Sequence, residues 1–324
     1  MSKQAVYLGI DTSNYTTSAA VCDTEGQVIA NLKVPLPVRE GACGLRQSDA
    51  VFAHTKNMPI LMAKCREALG DTYIPVAVGV SATPRDAQGS YMPCFLSGHA
   101  AASAICAAMD LPLYTFSHQN GHIRAALYSS GRQRELMGRP FCAFHVSGGT
   151  TEALYVTPDE DITFRVELVG GTADINAGQA IDRVGVMLGL RFPCGPALET
   201  LAAENTKKIP KPRISVRDGV CNLSGLENLA KKCYEESGDA ALTAAYVLAF
   251  IGDTLTRMTE HLLARYPNIP VLYAGGVMSN RYLQSRLATV CDASFAEPAF
   301  SADNAAGIAL LCRERDLKVR GRDE

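Results

Sequence analysis

The sequence lacks three features that would assign a protein to a class at once. None of its apolar stretches approaches the roughly 18 to 20 continuous apolar residues that a membrane-spanning helix needs. Neither charge sign is in excess, since 31 basic and 33 acidic side chains give a net charge of −2 over 324 residues. A disordered chain or a self-sufficient nucleic-acid binder would show a larger imbalance. No basic segment followed by an apolar stretch opens the sequence, so we expect a cytoplasmic protein without a membrane partner.

Clustered cysteines are also missing. The eleven cysteines are scattered along the chain without a CxxC pair, which argues against a disulfide framework and against a zinc knuckle. We therefore expect reduced, mostly buried thiols. A metal ion in this protein would have to use histidine and carboxylate ligands instead of thiolates.

The hydrophobic pattern of the first half predicts a three-stranded meander followed by alternating helices and strands. The strands of the meander are predicted at Val6–Asp11, Thr17–Cys22 and Gln27–Val34. The segments that follow are a helix at Asp49–Leu69, a buried strand at Val76–Ser81, a helix at Gly98–Met109, a strand at Leu111–Phe116 and a helix at His118–Ser129.

The same order of elements then begins again. A second meander is predicted at Phe141–Val146, Glu152–Val156 and Phe164–Val169. Helices follow at Ala177–Leu190, Leu226–Glu235 and Ala240–Arg265, then a strand at Val271–Ala274 and two helices that begin at Ser279 and Ala302. The sequence therefore predicts an α/β protein of two similar halves, residues 1–138 and 139–324, that face a cleft.

The segment His118-Gln119-Asn120-Gly121-His122 carries a possible metal site. On a helix, residues four apart lie on one face, so both imidazoles can bind the same ion. The alternative is a pair of surface or capping histidines. A zinc protease would need Glu beside the first histidine, and position 119 is Gln, so peptide hydrolysis is disfavoured.

Three glycine-rich segments lie where a strand meets a turn or a helix, and the sequence has no Walker-type GxxxxGK. Ser147-Gly148-Gly149-Thr150 joins two strands, and its backbone N–H groups can approach an anion closely. Ala274-Gly275-Gly276 follows a strand and opens a helix, and Cys194-Gly195-Pro196 opens another. Each could be an ordinary turn, but together they favour a nucleotide cleft.

Three aspartates are candidate ligands or catalytic groups. Asp11 ends the first strand, where a carboxylate can hold Mg²⁺ or orient a phosphate, and we expect a catalytic role for it. Asp182 lies one helical turn after Gly178 and can accept hydrogen bonds from a ribose. Asp303 is either a plain helix N-cap or the carboxylate that completes a site with two histidines.

An ordered set of motifs resembles the TsaD/Gcp-type family, once described as O-sialoglycoprotein endopeptidases. The motifs are SHQNGH, VSGGTTEALYV, GQAIDRVGVMLGL, NLSGL, YAGGVMSNRYL and AEPAFSADNAAGIAL, and the resemblance covers nearly the whole chain. It implies the actin-like fold of sugar kinases and heat-shock ATPases. It also implies the transfer of threonylcarbamoyl from threonylcarbamoyl-adenylate to the exocyclic amine of an adenosine next to the tRNA anticodon.

The resemblance further implies residue roles and ligands. One divalent ion, iron or zinc, is expected on His118, His122 and Asp303. The residues expected to contact the substrate or its nucleotide are Val146, Ser147, Gly148, Gly149, Asp182, Gly195 and Asn280. ATP with Mg²⁺ is a second ligand expected in the cleft. Because the net charge is close to zero, we expect partner subunits to deliver the tRNA, and a heterodimer with a related actin-like subunit is a further expectation.

The first half also departs from the family pattern. The family's Asp-Glu pair in the first hairpin is Tyr15-Thr16 here, preceded by Asn14, and a family histidine is replaced by Thr150. His54 still matches a histidine of the family. These departures keep two alternatives open, namely a paralogue that carbamoylates another acceptor and a non-catalytic scaffold subunit.

Overall fold

The computed structural model describes residues 3–13, 15–37 and 45–321. The chain divides into two compact units. The first contains the described residues up to Tyr128, Asp159–Arg165 and the described residues from Phe300 onward. The second contains Ser129–Pro158 and Val166–Ala299. This division differs from the predicted one because the C-terminal segment, which we assigned to the second half, belongs to the first unit.

Strands and helices occur in short groups along the described part of the chain. The first are β1 (Gln4–Ser13), β2 (Thr16–Asp23), β3 (Val28–Pro35), α1 (Gln47–Leu69), β4 (Tyr73–Thr83), α2 (Phe95–Met109), β5 (Leu113–Ser117), α3 (His118–Ser129) and α4 (Gln133–Leu136). Next come β6 (Phe141–Val146), β7 (Thr151–Asp159), β8 (Thr163–Thr172), α5 (Ala177–Met187), α6 (Gly195–Ala203), β9 (Ser215–Arg217), β10 (Val220–Asn222), α7 (Gly225–Ser237) and α8 (Ala240–Arg265). The last are β11 (Val271–Ala274), α9 (Arg281–Leu287), β12 (Ala293–Phe295), α10 (Pro298–Ser301) and α11 (Ala306–Val319).

The first unit is built on a five-stranded sheet with the order β3-β2-β1-β4-β5. The first three strands are antiparallel, as the meander pattern predicts, and β4 and β5 run parallel to β1. Side chains alternate between the two faces of a strand. Val6, Leu8 and Ile10 therefore pack on the same face as residues of α1 and α2, whereas Tyr7 packs with α11 on the other face.

Two glycines allow α11 to lie directly on the first sheet. A Cβ added at Gly79 would lie 2.9 Å from the carbonyl oxygen of Ile308, and one at Gly9 would lie 2.7 Å from that of Ala305. Both distances are shorter than 3.0 Å, a separation below which real Cβ atoms are essentially never found. The close approach places the segment just before α11, which contains Asp303, over the end of β1 where Asp11 lies.

The second unit contains a seven-stranded sheet with the order β12-β11-β6-β7-β8-β10-β9. Its first five strands repeat the arrangement of the first sheet, because β6 and β7 are antiparallel and β11 and β12 run parallel to β6. The long helix α8 lies in the core with Val247, Phe250 and Leu255 buried. Asp239 caps this helix by accepting a hydrogen bond from Leu242 N at 2.9 Å.

Several sequence predictions need correction or completion. The helix predicted to begin at Ala302 begins at Ala306, and Asn304 Oδ1 accepts the Ala306 N–H at 3.0 Å. Ala305 is the N-cap residue of this helix, so Asp303, two residues earlier, does not have the plain N-cap role considered for it. The short strands β9, β10 and β12 were not predicted. Asn14 lies outside the described residues.

None of the helices in the described part of the chain combines the length and apolar content needed to span a bilayer. The ten cysteines in the described ranges are free thiols, as the scattered spacing predicts.

Candidate functional site

Three side chains that could bind a metal ion come together in the first unit. His118 is the first residue of α3, His122 follows one turn later, and Asp303 lies in the loop between α10 and α11. Asp303 Oδ1 is 3.3 Å from His122 Nε2 and 3.8 Å from His118 Nε2. One ligand atom from each residue lies within 4.8 Å of the others. The side chains are 13 to 24% exposed, so solutes can reach the group.

Asp11 orients the first histidine. Its carboxylate is fully buried, with Oδ2 2.7 Å from His118 Nδ1 and Oδ1 accepting a hydrogen bond from Ser13 N at 2.9 Å. An ionised carboxylate only accepts hydrogen bonds, so Nδ1 of His118 carries a proton. In the neutral imidazole this leaves the lone pair on Nε2, the nitrogen directed at Asp303. Asp11 therefore acts through His118 as a positioning residue.

Burial and charge oppose each other in this pair. Burial disfavours the charged form of His118, but the Asp11 carboxylate outweighs burial and raises the pKa of His118 to about 9. Burial likewise opposes ionisation of Asp11, and His118 is the main group that holds the pKa of Asp11 below its ordinary value. The two groups stabilise each other's charge when no cation is bound.

The donor atoms and their surroundings fit a divalent transition metal. Two imidazole nitrogens and one carboxylate oxygen are ligands that zinc and iron both accept, at roughly 2.0 to 2.2 Å for zinc. The separations of 3.3 and 3.8 Å between ligand atoms are compatible with three ligands around one such ion. A histidine ligand whose second nitrogen donates to a carboxylate is also typical of metal sites.

Two glycines bring α3, which carries both histidines, into contact with α11, which follows Asp303. Gly121 lies within the HxxxH segment, and a Cβ there would meet Ile308 Cδ1 at 2.8 Å. A Cβ on Gly307 would overlap the carbonyl group of Gly121. Arg124 Nε also donates to Glu314 Oε1 at 2.7 Å, which joins the same two helices further along. The role of neither glycine was predictable from the sequence, because it depends on which helices cross.

The loop between β6 and β7 forms a second candidate region, in the second unit. Ser147 Oγ accepts hydrogen bonds from Gly149 N and Thr150 N at 3.2 and 3.1 Å. Gly148 and Gly149 are exposed, and a Cβ on either meets no described atom within 4 Å. A Cβ on Gly178, in the first turn of α5, would lie 2.6 Å from Gly148 N. The loop therefore lies directly on the N-terminus of α5, and its glycines are open to solvent.

The other predicted nucleotide contacts lie on segments joined to this loop. Asp182 Oδ1 accepts a hydrogen bond from Cys194 N at 2.7 Å, which holds α5 against the turn before Gly195. Burial raises the pKa of Asp182, and the Cys194 N–H opposes that shift. Val146, at the end of β6, is fully buried, and its backbone lies against Gly275, which has a positive φ of 100°.

Asn280 has a structural role at the start of α9. Its Oδ1 accepts a hydrogen bond from Leu283 N at 3.0 Å, which caps α9. The next residue, Arg281, donates its N–H to Glu199 Oε1 of α6 at 2.7 Å. The predicted substrate residues of the second unit thus lie on connected segments, whereas the predicted metal ligands lie in the first unit.

The chain was compared with known families and with curated relatives. A family model described as TsaD, tRNA N6-adenosine threonylcarbamoyltransferase, matches residues 49–310. A tRNA N6-adenosine threonylcarbamoyltransferase of Streptococcus suis strain 05ZYH33 is 30% identical over 326 residues, covering 96% of this chain and 92% of the relative. The protein of the same name from Bacillus subtilis strain 168 is 31% identical over 298 residues, covering 88% of this chain and 81% of the relative.

Solved structures resemble the fold at low identity. A ROK-family glucokinase from Streptomyces griseus, solved with glucose and AMPPNP, has a TM-score of 0.54 at 13% identity and covers 95% of this chain and 99% of that chain. Component A of the Acidaminococcus fermentans (R)-2-hydroxyglutaryl-CoA dehydratase has a TM-score of 0.53 at 12% identity, with coverage of 96% and 98%. Similarity at these identities concerns the fold alone, and it confirms the predicted actin-like α/β architecture.

Proposed function

The chain belongs to the TsaD family, and we propose that it is a tRNA N6-adenosine threonylcarbamoyltransferase. The curated relatives that carry this name align with most of the chain, so the predicted enzyme class is that of the family. The observation that carries the proposal is the convergence of Asp303 with His118 and His122, from which it is distant in sequence. All three residues match family motifs.

The proposed reaction joins an amine to an activated carbamoyl group. The N6 amine of the adenosine next to the anticodon attacks the carbamoyl carbon of threonylcarbamoyl-adenylate. A carbon–nitrogen bond forms, the bond from that carbon to the phosphate oxygen breaks, and AMP leaves with the bonding electrons while N6 loses a proton. Because the donor is already activated, we expect the protein to contribute mainly by binding and orienting both reactants.

We assign the metal to the first unit and the nucleotide to the second. His118, His122 and Asp303 would hold a divalent ion, which when bound supplies a Lewis acid for the carbamoyl oxygen. Asp11 keeps the proton on His118 Nδ1 and leaves Nε2 available. The glycine loop at Ser147–Gly149, with Asp182, Gly195 and Asn280, would contact the adenylate.

Complementation tests the activity. The protein is expressed in a strain that lacks its threonylcarbamoyladenosine transferase, and the modified nucleoside is quantified by mass spectrometry of digested tRNA. We expect the wild-type chain to restore the nucleoside and His118→Ala to abolish it. His99→Ala is the matched control, because His99 lies on α2 outside the ligand group. A well-expressed wild-type chain that yields no modified nucleoside contradicts the proposal.

The altered first hairpin supports two alternatives, a paralogue that uses another acceptor and a non-catalytic scaffold subunit. Tyr15 and Thr16 replace an acidic pair of the family, and Tyr15 is 41% exposed. A paralogue would consume the adenylate with another acceptor, which a coupled assay for AMP release in the absence of tRNA would detect. A scaffold would purify without stoichiometric metal and would be unaffected by His118→Ala.

A further inference from the structure

The first turn of α3 is capped by a buried serine. Ser117 precedes His118, the first residue of the helix, and its hydroxyl oxygen accepts the Asn120 N–H at 3.2 Å. This is the contact by which a serine caps a helix, since it satisfies a backbone donor that has no partner within the helix. Ser117 is only 1% exposed, so water cannot readily replace its hydroxyl as the acceptor.

Asp86 fixes the direction of the Ser117 hydroxyl group, because Asp86 Oδ2 accepts the hydroxyl proton. A hydroxyl has one proton and two lone pairs, whereas an ionised carboxylate only accepts hydrogen bonds. With its proton held by Asp86, Ser117 presents a lone pair to Asn120 N. Asp11 has the same effect on His118, since it accepts the Nδ1 proton and leaves the lone pair on Nε2.

The loop after β4 contacts the same helical turn at a second point. Asp86 lies in this loop, and the carbonyl oxygen of Pro84 in the same loop accepts the Gln119 N–H at 3.0 Å. Both contacts lie within the first compact unit. Two residues of one loop therefore hold Ser117 and Gln119, which are the neighbours of His118 on either side.

A metal ligand at the first position of a helix depends on the order of that end of the helix. Helix ends fray, and His118 lies in the first turn of α3 whereas His122 lies one turn further in. When the first turn opens, His118 leaves the ligand group. The apparent affinity for a metal ion then falls with the population of the ordered turn. The cap of α3 is therefore coupled to the metal site without touching the ion.

We propose that Asp86, acting through the Ser117 hydroxyl, is a positioning residue for the metal ligand His118. The inference rests on the metal site of the proposed function, and it adds two residues that are not among the predicted ligands or substrate contacts. Neither Asp86 nor Ser117 belongs to the group formed by His118, His122 and Asp303, so both act on a bound ion through the backbone of α3.

Zinc affinities of single and double variants, measured by chelator competition, test the inference. Ser117→Ala removes the cap, and Asp86→Ala removes the acceptor that orients it. We expect each change to weaken zinc binding about three- to tenfold, as the loss of a helix cap predicts. Because both residues act through one chain of hydrogen bonds, the double variant should bind zinc as Ser117→Ala does. Asp71→Ala removes an aspartate that is 94% exposed and should leave the affinity unchanged.

Two measurements separate positioning from a general loss of stability. Ser117→Thr keeps the hydroxyl, and Ser117 lines a cavity of about 190 Å³ that can take the added methyl group. This variant should bind zinc within about twofold of the wild-type affinity. In the metal-free protein, hydrogen exchange at Asn120 N should be faster in both alanine variants, whereas exchange in α8 should not change, because the loss is local. Zinc should slow the exchange at Asn120 N again, since binding and ordering are linked.

The outcomes distinguish this inference from the proposed function. If the wild type binds zinc and Asp86→Ala binds it within about twofold as tightly, Asp86 does not position His118. Additive losses in the double variant would also refute the inference, because Asp86 would then act independently of Ser117. A wild type that binds no zinc refutes both the inference and the metal site. Asp86-dependent zinc binding by a protein that fails complementation refutes the proposed activity and leaves the positioning role in place.

Discussion

At the scale of single residues, Asp11 shows how one carboxylate controls a ligand. Its two oxygens each face a donor, Ser13 N and His118 Nδ1. In Asp11→Asn, the amide NH₂ must face one of those donors. If it faces His118, the ring proton moves to Nε2 and blocks the nitrogen directed at Asp303. We expect Asp11→Asn to lower zinc affinity about 10- to 100-fold in a chelator competition titration.

The conservative variant provides the control for that prediction. Asp11→Glu keeps both acceptor oxygens and the negative charge, so it should lose less zinc affinity than Asp11→Asn. Equal affinity in the wild type and Asp11→Asn would show that His118 does not depend on Asp11 for its protonation state.

The carboxylate of Asp174 makes a contribution to the free energy of unfolding that depends on pH. Partial desolvation of Asp174 opposes its ionisation, but it accepts hydrogen bonds from Leu223 N, Ser224 and Ile175 N, and these hold its pKa well below the ordinary value. A depressed pKa stabilises the folded state above the unfolded pKa of about 4, and the contribution is lost as pH falls. Asp174→Asn should therefore be less stable than the wild type near pH 6.

Urea unfolding at a series of pH values measures this contribution. Below about pH 4, the wild type should lose stability through this group as pH falls, to an extent that solvent screening of the exposed carboxylate reduces, and Asp174→Asn should lack that part of the slope. The difference in unfolding free energy between the two proteins should thus shrink toward low pH. A difference that is constant with pH would show that Asp174 acts through packing and not through its charge.

At the scale of elements, the crossing of α3 and α11 holds the ligands together. A Cβ at Gly307 would overlap the Gly121 carbonyl, so Gly307→Ala must push the two helices apart. Overpacking of this kind costs about 1 to 3 kcal/mol of stability. We also expect lower zinc affinity, because Asp303 precedes α11 while both histidines lie on α3. Thermal unfolding and chelator competition measure the two effects.

A glycine at another helix provides the control. A Cβ at Gly225, in the first turn of α7, meets no described atom within 4 Å. Gly225→Ala should therefore change neither stability nor zinc affinity appreciably. If the Gly307→Ala protein loses less stability than expected and has the zinc affinity of the wild type, the helix crossing does not determine the ligand geometry.

The long strands and helices were predictable from the sequence, whereas the start of α11 and the shortest strands were not. The strands of both meanders and the helix α8 are amphipathic or apolar over their whole length, and their positions follow from local periodicity. The start of α11 was predicted four residues early, because Asp303 and Asn304 are both residue types that favour a helix N-terminus, whereas the N-cap in the structure is Ala305. The strands β9, β10 and β12 are three residues long, which is too short for a period of two to be recognised.

At the scale of the whole molecule, the duplication was predictable and the division of the chain was not. Both sheets contain the order of a three-strand meander with two parallel strands beside its first strand. That order follows from the repeated pattern of segments. The return of residues from Phe300 onward to the first unit depends on long-range contacts at Gly9 and Gly79, which no local pattern contains.

The net charge of the whole chain limits its affinity for tRNA. Affinity for nucleic acid comes largely from neutralised phosphates, and 31 basic side chains are here offset by 33 acidic ones. The basic segment that includes Lys207, Lys208 and Lys211 is partly neutralised, since Lys207 Nζ lies 2.8 Å from Asp239 Oδ2. We therefore expect the chain alone to bind tRNA with a Kd no tighter than about 1 μM at physiological salt. Filter binding at two salt concentrations measures it, with Lys208→Gln and Lys211→Gln together expected to reduce the salt dependence. A nanomolar Kd for the chain alone would mean that no partner subunit is needed to deliver the tRNA.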